Sequence, residues 1–200
     1  MDSLSVGIDF DNTIVSYEGV FYSAALEKEL IPPDLPPFKG AIRDYLRAAD
    51  KEELWTELQG YIYGAKMDTA FPYPGVESFF LLCSRKKIPT YIISHKTKQP
   101  FLGYSYDLHQ SARDWLEKNA FTSPAFFELT LQAKLNRIRQ QGCTVFIDDL
   151  PEVLKNPLFP KGVRKILFDP HNLYSPSEDF EYANHWNDIL EILQIFTYET

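Results

Sequence analysis

Two aspartates two residues apart, Asp9 and Asp11, stand at the end of the apolar run Val6-Gly7-Ile8. A short apolar run reads as a buried strand, and side chains two apart on a strand share a face. Both carboxylates therefore address one point at the strand's carboxyl end, where open α/β sheets bind ligands. Ionised carboxylates that close repel each other, so the pair calls for a cation, a shared proton or both. Three further groups of complementary chemistry follow along the chain. The run Tyr91-Ile92-Ile93-Ser94-His95 ends in a hydroxyl and backbone N–H groups, which bind phosphate oxygens without a counter-charge. The run Val145-Phe146-Ile147-Asp148-Asp149 ends in two more carboxylates, and Lys134, in the helical pattern before it, offers a cation.

Positioning these groups takes a sheet. Leu4–Phe10, Ile88–Ser94, Thr144–Asp148 and Lys165–Phe168 are short, apolar and rich in β-branched or aromatic residues, so each is expected to be a buried parallel strand. Helical patterns lie between them. Val76, Phe79, Phe80 and Cys83 recur at helical spacing after the Pro74-Gly75 breaker. Leu108, Ala112, Trp115 and Leu116 line a second helix, and Leu131, Leu135 and Ile138 a third that Gly142 ends. Trp186, Ile189, Leu190 and Leu193 make a fourth stripe near the C-terminus. Strand and helix in alternation imply an α/β fold, a three-layer α/β/α parallel sheet covered on both faces.

The segment Tyr17–Tyr73 breaks this rhythm, with helical patterns at Phe21–Leu30, Ile42–Ala49 and Glu53–Tyr63 and a Pro-rich link, Ile31–Pro37. It is expected to be a small helical cap inserted after the first strand, over the mouth of the sheet. The plainer alternative is a first crossover helix with loops. The domain division that follows is 1–16 with 74–200 as the catalytic core and 17–73 as the cap.

Bulk properties narrow the function classes. Two hundred residues suit one compact domain with a small subdomain. An apolar fraction of 44% argues for a globular chain, and a net charge of −8 argues against coating nucleic acid. Cys83 and Cys143 sit in or beside apolar runs and read as small core residues; a disulfide or a metal pair is the alternative. The absence of a leader pattern or a membrane-length run makes a cytoplasmic location, with no membrane partner, the expectation.

The ordered set resembles the four motifs of the haloacid dehalogenase superfamily of phosphohydrolases. The match is Asp9-Phe10-Asp11-Asn12-Thr13 for the first, Ser94 for the second, Lys134 for the third and Asp148-Asp149 for the fourth. Many members have Gly where this chain has Asn12, a departure that leaves the carboxylates untouched. The stretches Ser94-His95-Lys96-Thr97 and Phe146-Ile147-Asp148-Asp149-Leu150-Pro151-Glu152 are also similar to a bacterial branch whose motifs name no substrate. The resemblance implies a Rossmann-like core and magnesium-dependent hydrolysis of a small phosphorylated metabolite through an aspartyl-phosphate.

Chemistry assigns the roles within that frame. Asp9 is ionised at neutral pH and serves as nucleophile once like-charge repulsion is relieved. A divalent cation on Asp9, Asp148 and, as the resemblance implies, the Asp11 backbone carbonyl relieves it, and an all-oxygen ligand set points to magnesium. Asp11 protonates the leaving alkoxide and then deprotonates the hydrolytic water. Ser94 and Lys134 hold the phosphoryl oxygens, with Lys96 and Lys98 competing for the lysine role, and His95 either touches substrate or faces solvent from the loop. Asp149 is expected to order a metal-bound water or Lys134, and Thr13 to orient Asp11 or the loop. A phosphomutase shares every motif, and a non-catalytic phosphate-binding protein is the alternative of another class. A signalling receiver domain is disfavoured, since there the acidic pair comes first and the lysine last. The cap segment's six Lys/Arg against ten Asp/Glu make polyanionic substrates poor candidates. Its aromatics, Tyr22, Trp55, Tyr61 and Tyr63, suit stacking on a sugar or base or packing on the core.

Overall fold

The computed structural model describes residues 3–195. They form two compact units: one gathers the chain up to Val15, Pro72–His95 and the chain from Phe121 on, the other Ser16–Phe71 and Lys96–Ala120. In the first, six strands form one sheet: β1 (Val6–Ile8), β4 (Thr90–His95), β5 (Ala125–Glu128), β6 (Val145–Asp148), β7 (Arg164–Phe168) and β8 (Glu181–Ala183). Their order is β5-β4-β1-β6-β7-β8 and every pairing is parallel. The chain builds outward from β1 to β4 and β5, then returns to lay β6 on the other side of β1. Connections therefore leave the carboxyl ends of β1 and β6 in opposite directions, and this switch point is where such sheets open a crevice.

Both faces of the sheet are covered. On one, Ile93, Phe146 and Leu167 pack with Leu135 and Ile138 of α6 (Leu131–Gln140) and with Val153 and Leu154 of α7 (Pro151–Leu154). On the other, Phe168 lies 5.7 Å and Phe79 4.9 Å from Trp186, ring centre to ring centre. These rings join β7 to α4 (Val76–Arg85) and α8 (Trp186–Ile192). Each large buried ring or branched chain contributes about 1.5–3 kcal/mol relative to exposure, so the sheet is a stiff platform. Cys83 and Cys143 are both free and buried in this core, and burial pushes each thiol up to about 12.

Gly7 marks the tightest point of the platform. A Cβ there would stand 2.6 Å from Cδ2 of Phe146 and 2.9 Å from Sγ of Cys143. The Phe146 ring thus fills the space a side chain at position 7 would take. Gly7→Ala is expected to cost about 1–3 kcal/mol, the usual cost of overpacking a closed core. A denaturant midpoint unchanged from wild type would show that the ring has room to move.

The second unit is helical. It contains α1 (Val20–Glu27), α2 (Lys39–Ala48), α3 (Glu52–Tyr63) and α5 (Leu108–Lys118), with a 3₁₀ turn at Met67–Thr69. The three helical patterns of Tyr17–Tyr73 match α1–α3 in place. The helix expected from Leu108, Ala112, Trp115 and Leu116, α5, groups with them and not with the sheet core. Its Trp115 indole donates to the Ala70 carbonyl at 2.9 Å. Gly60 and Gly64, one turn apart on α3, let the 96–107 loop lie against the helix: Cβ atoms there would stand 2.6 Å from Pro100 and 2.4 Å from Tyr106. Two-residue strands β2 (Val15–Ser16) and β3 (Phe71–Pro72) pair where the chain passes between units. Among the described residues no helix is long and apolar enough to cross a membrane.

Candidate active site

Strand register builds the site. Gly7 pairs with Phe146 and Ile8 with Ile147, and the Asp9 N–H donates to the Ile147 carbonyl at 2.9 Å. One residue further on each strand, Asp9 and Asp148 stand side by side on the face that α6 covers. The start of α6 is set by Thr130, whose hydroxyl accepts from the Ala133 N–H at 3.1 Å. Its rotation is set by Leu135 and Ile138 in the core. Lys134, one position before Leu135, is carried under the sheet with them and is only 2% exposed.

The result is a buried ionic cluster. The Lys134 ammonium donates to Oδ1 of Asp9 and to Oδ2 of Asp148, both at 2.6 Å. It also lies 5.4 Å from the centre of the Phe146 ring, the same ring that requires Gly7. The second oxygen of Asp148 accepts from the Leu150 N–H at 3.0 Å, which fixes the carboxylate at the turn into α7. Asp9, Asp148 and Asp149 each offer a carboxylate oxygen, all within 4.8 Å of one another. Thr13 is fully buried and its hydroxyl reaches Oδ1 of Asp149 at 3.5 Å.

Lys134 sets one positive charge between the two carboxylates it bonds. Burial pushes the Asp9 carboxyl up to about 7; Lys134 opposes this, while Asp148 and Asp11 add to it. Burial alone would lower Lys134, but Asp148 and Asp9 hold it above the ordinary lysine range. The donor set is all hard oxygen, with no histidine or cysteine among the three, which suits a magnesium-type ion.

The other expected residues are distributed around this cluster. Asp11 is half-buried two positions past Asp9 and bridges to Val15. Ser94 is buried near the tip of β4, one position beyond Ile93, the residue level with Asp9, and pairs with Phe127 of β5. His95 is exposed and pairs with Glu128. Of the three candidate lysines, Lys134 holds Asp9 and Asp148, Lys98 lies exposed 3.9 Å from Asp107, and Lys96 is buried against Tyr63. Asp149, expected only to support water or lysine, stands within the carboxylate group itself, and Asp11 is not one of those three carboxylates. Asn12 has φ 59°, a left-handed conformation that Asn tolerates better than other side-chain-bearing residues. That accounts for Asn where a glycine is usual. Asn12→Gly should leave the melting temperature nearly unchanged, whereas Asn12→Val should cost about 1–2 kcal/mol.

No family model matches the sequence, and no curated protein matches it either. Solved structures do match. A hydrolase of this superfamily from Ehrlichia chaffeensis aligns over 98% of this chain and 100% of its own, with TM-score 0.56 and 13% identity. A structure described as a predicted phosphoglycolate phosphatase, from Haemophilus somnus, aligns over 97% and 99%, with TM-score 0.56 and 13% identity. A hydrolase of Bacillus subtilis solved with magnesium bound aligns over 96% and 99%, with TM-score 0.52 and 13% identity. Full-length alignment at such low identity reflects shared architecture. The chain has the haloacid dehalogenase-like fold, a six-stranded parallel Rossmann-like sheet flanked by helices.

Proposed function

We propose that this protein is a magnesium-dependent phosphatase acting on a small phosphomonoester through an aspartyl-phosphate. One observation carries the reading: Asp9, Asp148 and Asp149 converge at the sheet's switch point with a buried lysine bridging the first two. A structural ion pair needs one carboxylate for one lysine, and three converging carboxylates support the reading of a cation site. Magnesium, held by these three carboxylates with the Asp11 carbonyl, would screen the nucleophile's charge and polarise the phosphoryl group.

The chain's own residues supply the rest. The free oxygen of Asp9 attacks phosphorus as the ester P–O bond breaks. Asp11 gives its proton to the departing alkoxide. Asp11 then takes a proton from water, whose oxygen displaces Asp9 from phosphorus and releases inorganic phosphate. Lys134 keeps Asp9 in one rotamer and offsets charge building on the equatorial oxygens, a task shared with Ser94 and its neighbouring backbone donors. The helical unit is read as the cap, which selects the organic group, with His95 at the substrate's edge. A soluble metabolite is the substrate class, with no nucleic-acid or membrane partner.

The test is phosphate release by purified protein from a broad panel of phosphomonoesters, with magnesium and with a chelator. Turnover that needs magnesium is expected. Release of no phosphate from any ester, with no magnesium-induced rise in melting temperature, rules the reading out. Formation of an isomeric phosphate ester in place of free phosphate would identify a mutase.

A further inference from the structure

A second buried carboxylate holds a turn at the same end of the sheet as Asp9 and Asp148. Asp169 directly follows β7 and is 2% exposed. Register sets Leu167 of β7 beside Asp148 of β6, so the chain leaving β7 at Asp169 runs next to the chain leaving β6 at Asp149. Neighbouring strands lie about 4.8 Å apart, which brings the two exits within side-chain reach of each other.

The Asp169 carboxylate accepts from three neutral donors: the Leu173 N–H at 3.0 Å, the Tyr174 N–H at 2.8 Å and the Tyr182 hydroxyl at 2.6 Å. Asn184 ties down the same turn, donating to the Asp169 carbonyl at 2.7 Å and to Oδ1 of Asn172 at 3.0 Å. A buried carboxylate is tolerated only when donors satisfy it, and two of these three are backbone N–H groups of the turn itself. The backbone at 173–174 is thereby fixed, yet the Tyr174 side chain remains 38% exposed.

Tyr174 differs from Tyr182 in having its hydroxyl available. The Tyr182 hydroxyl donates to Asp169, whereas that of Tyr174 bonds no protein group among the described residues. Burial and the carboxylates of Glu152, Asp149 and Asp169 hold the Tyr174 phenol above the ordinary tyrosine range, so it keeps its proton. Glu152, in the first turn of α7, is itself exposed. A phenol that donates near a carboxylate that accepts matches a hydroxyl group, which does both. The same carboxylates repel a second anion.

We infer that Tyr174 is a specificity-determining residue of the candidate active site, that Asp169 positions it, and that Tyr174 with Glu152 reads a neutral hydroxyl on the substrate's organic group. The step rests on the phosphatase reading and narrows its substrate class to hydroxylated phosphomonoesters.

The test separates binding from turnover. Dissociation constants of the full-length protein with magnesium are measured by calorimetry for 4-hydroxybutylphosphonate and butylphosphonate, which cannot be hydrolysed. The hydroxylated compound should bind about fivefold more tightly, the usual effect of one neutral hydrogen bond. Tyr174→Phe and Asp169→Asn should each abolish this preference, while the magnesium-induced rise in melting temperature stays as in wild type. Amide hydrogen exchange at Leu173 and Tyr174 should quicken in Asp169→Asn, whose side chain accepts through one oxygen only, and not in Tyr174→Phe. Equal binding of the two phosphonates by wild type, or a preference that survives Tyr174→Phe, would overturn the specificity assignment. A preference that survives Asp169→Asn would remove that residue's positioning role. Where Asp169→Asn does not fold, Tyr174→Phe, which deletes a single oxygen, still decides the specificity assignment, and Tyr182→Phe, which should also quicken exchange at the two amides and weaken the preference, decides the positioning. Turnover is then compared for 3-hydroxypropyl phosphate and propyl phosphate, and the same preference should appear in kcat/KM and fall in Tyr174→Phe. Turnover with no such preference would defeat this inference alone. A hydroxyl preference in binding without turnover of any ester would defeat the phosphatase reading alone, and neither binding nor turnover would defeat both.

Discussion

Asp9→Asn is expected to reduce phosphate release by roughly 10⁴-fold or more while leaving the fold intact. The amide has nearly the carboxylate's volume, still offers an oxygen to the Lys134 ammonium, and removes a charge whose burial is unfavourable. What it lacks is the nucleophilic oxygen anion. Asp11→Asn divides the reaction differently. Asp9 retains its charge and attacks, but nothing removes a proton from the hydrolytic water, so the aspartyl-phosphate should accumulate with a reactive leaving group such as p-nitrophenolate. Intact-mass measurement after quenching should show the added phosphoryl mass on Asp11→Asn and none on Asp9→Asn. A persistent adduct on Asp9→Asn would move the nucleophile to another residue.

The carboxylates were legible from sequence because their demand is local. Asp9 follows an apolar strand directly, and Asp148 does the same at the end of β6. The partnership of the two is not local, since it depends on β6 pairing beside β1 across 139 positions of chain, a crossover that no residue pattern near Asp9 encodes. The lysine was ambiguous for the same reason: Lys96 and Lys98 follow the β4 run and Lys134 lies in a helix before β6, and only the packing of Leu135 and Ile138 turns Lys134 beneath the sheet. The edge strands β5 and β8 escaped detection because four and three residues are too few to show a period. The packing of the 96–107 loop on the helical unit did leave a signal, the Gly60–Gly64 spacing on α3, which marks a face made for close approach. Asp149 read as ordering a metal-bound water or Lys134, and strand alternation alone would turn it to the face opposite Asp148. The chain leaves β6 at Asp148, so alternation no longer governs Asp149.

Lys134→Met should produce the largest loss of stability of any single change in the site. The substitution keeps much of the side chain's volume and removes the ammonium bonded to both Asp9 and Asp148, leaving two carboxylates facing each other in the core. Removing one partner of a buried ion pair costs about 3–5 kcal/mol, because the charge left behind is uncompensated. For a chain of this length that is a fall in melting temperature on the order of 10 °C. The pH dependence fixes the cause. Burial already raises Asp9 to about 7, and Lys134 is the main influence opposing that rise, so its removal raises the carboxyl further. An acid whose folded-state value is raised contributes stability that is full below its unfolded value and is lost as pH rises through the folded one. The deficit of Lys134→Met should therefore be larger at pH 8 than at pH 6. Magnesium should recover more stability in this variant than in wild type, since a dication between the same oxygens replaces the missing ammonium. Melting curves at both pH values, with and without magnesium, read all three effects. Equal stability of variant and wild type at pH 8 without magnesium would mean that Lys134 does not hold the carboxylates together, and a deficit that ignores pH would assign the loss to packing.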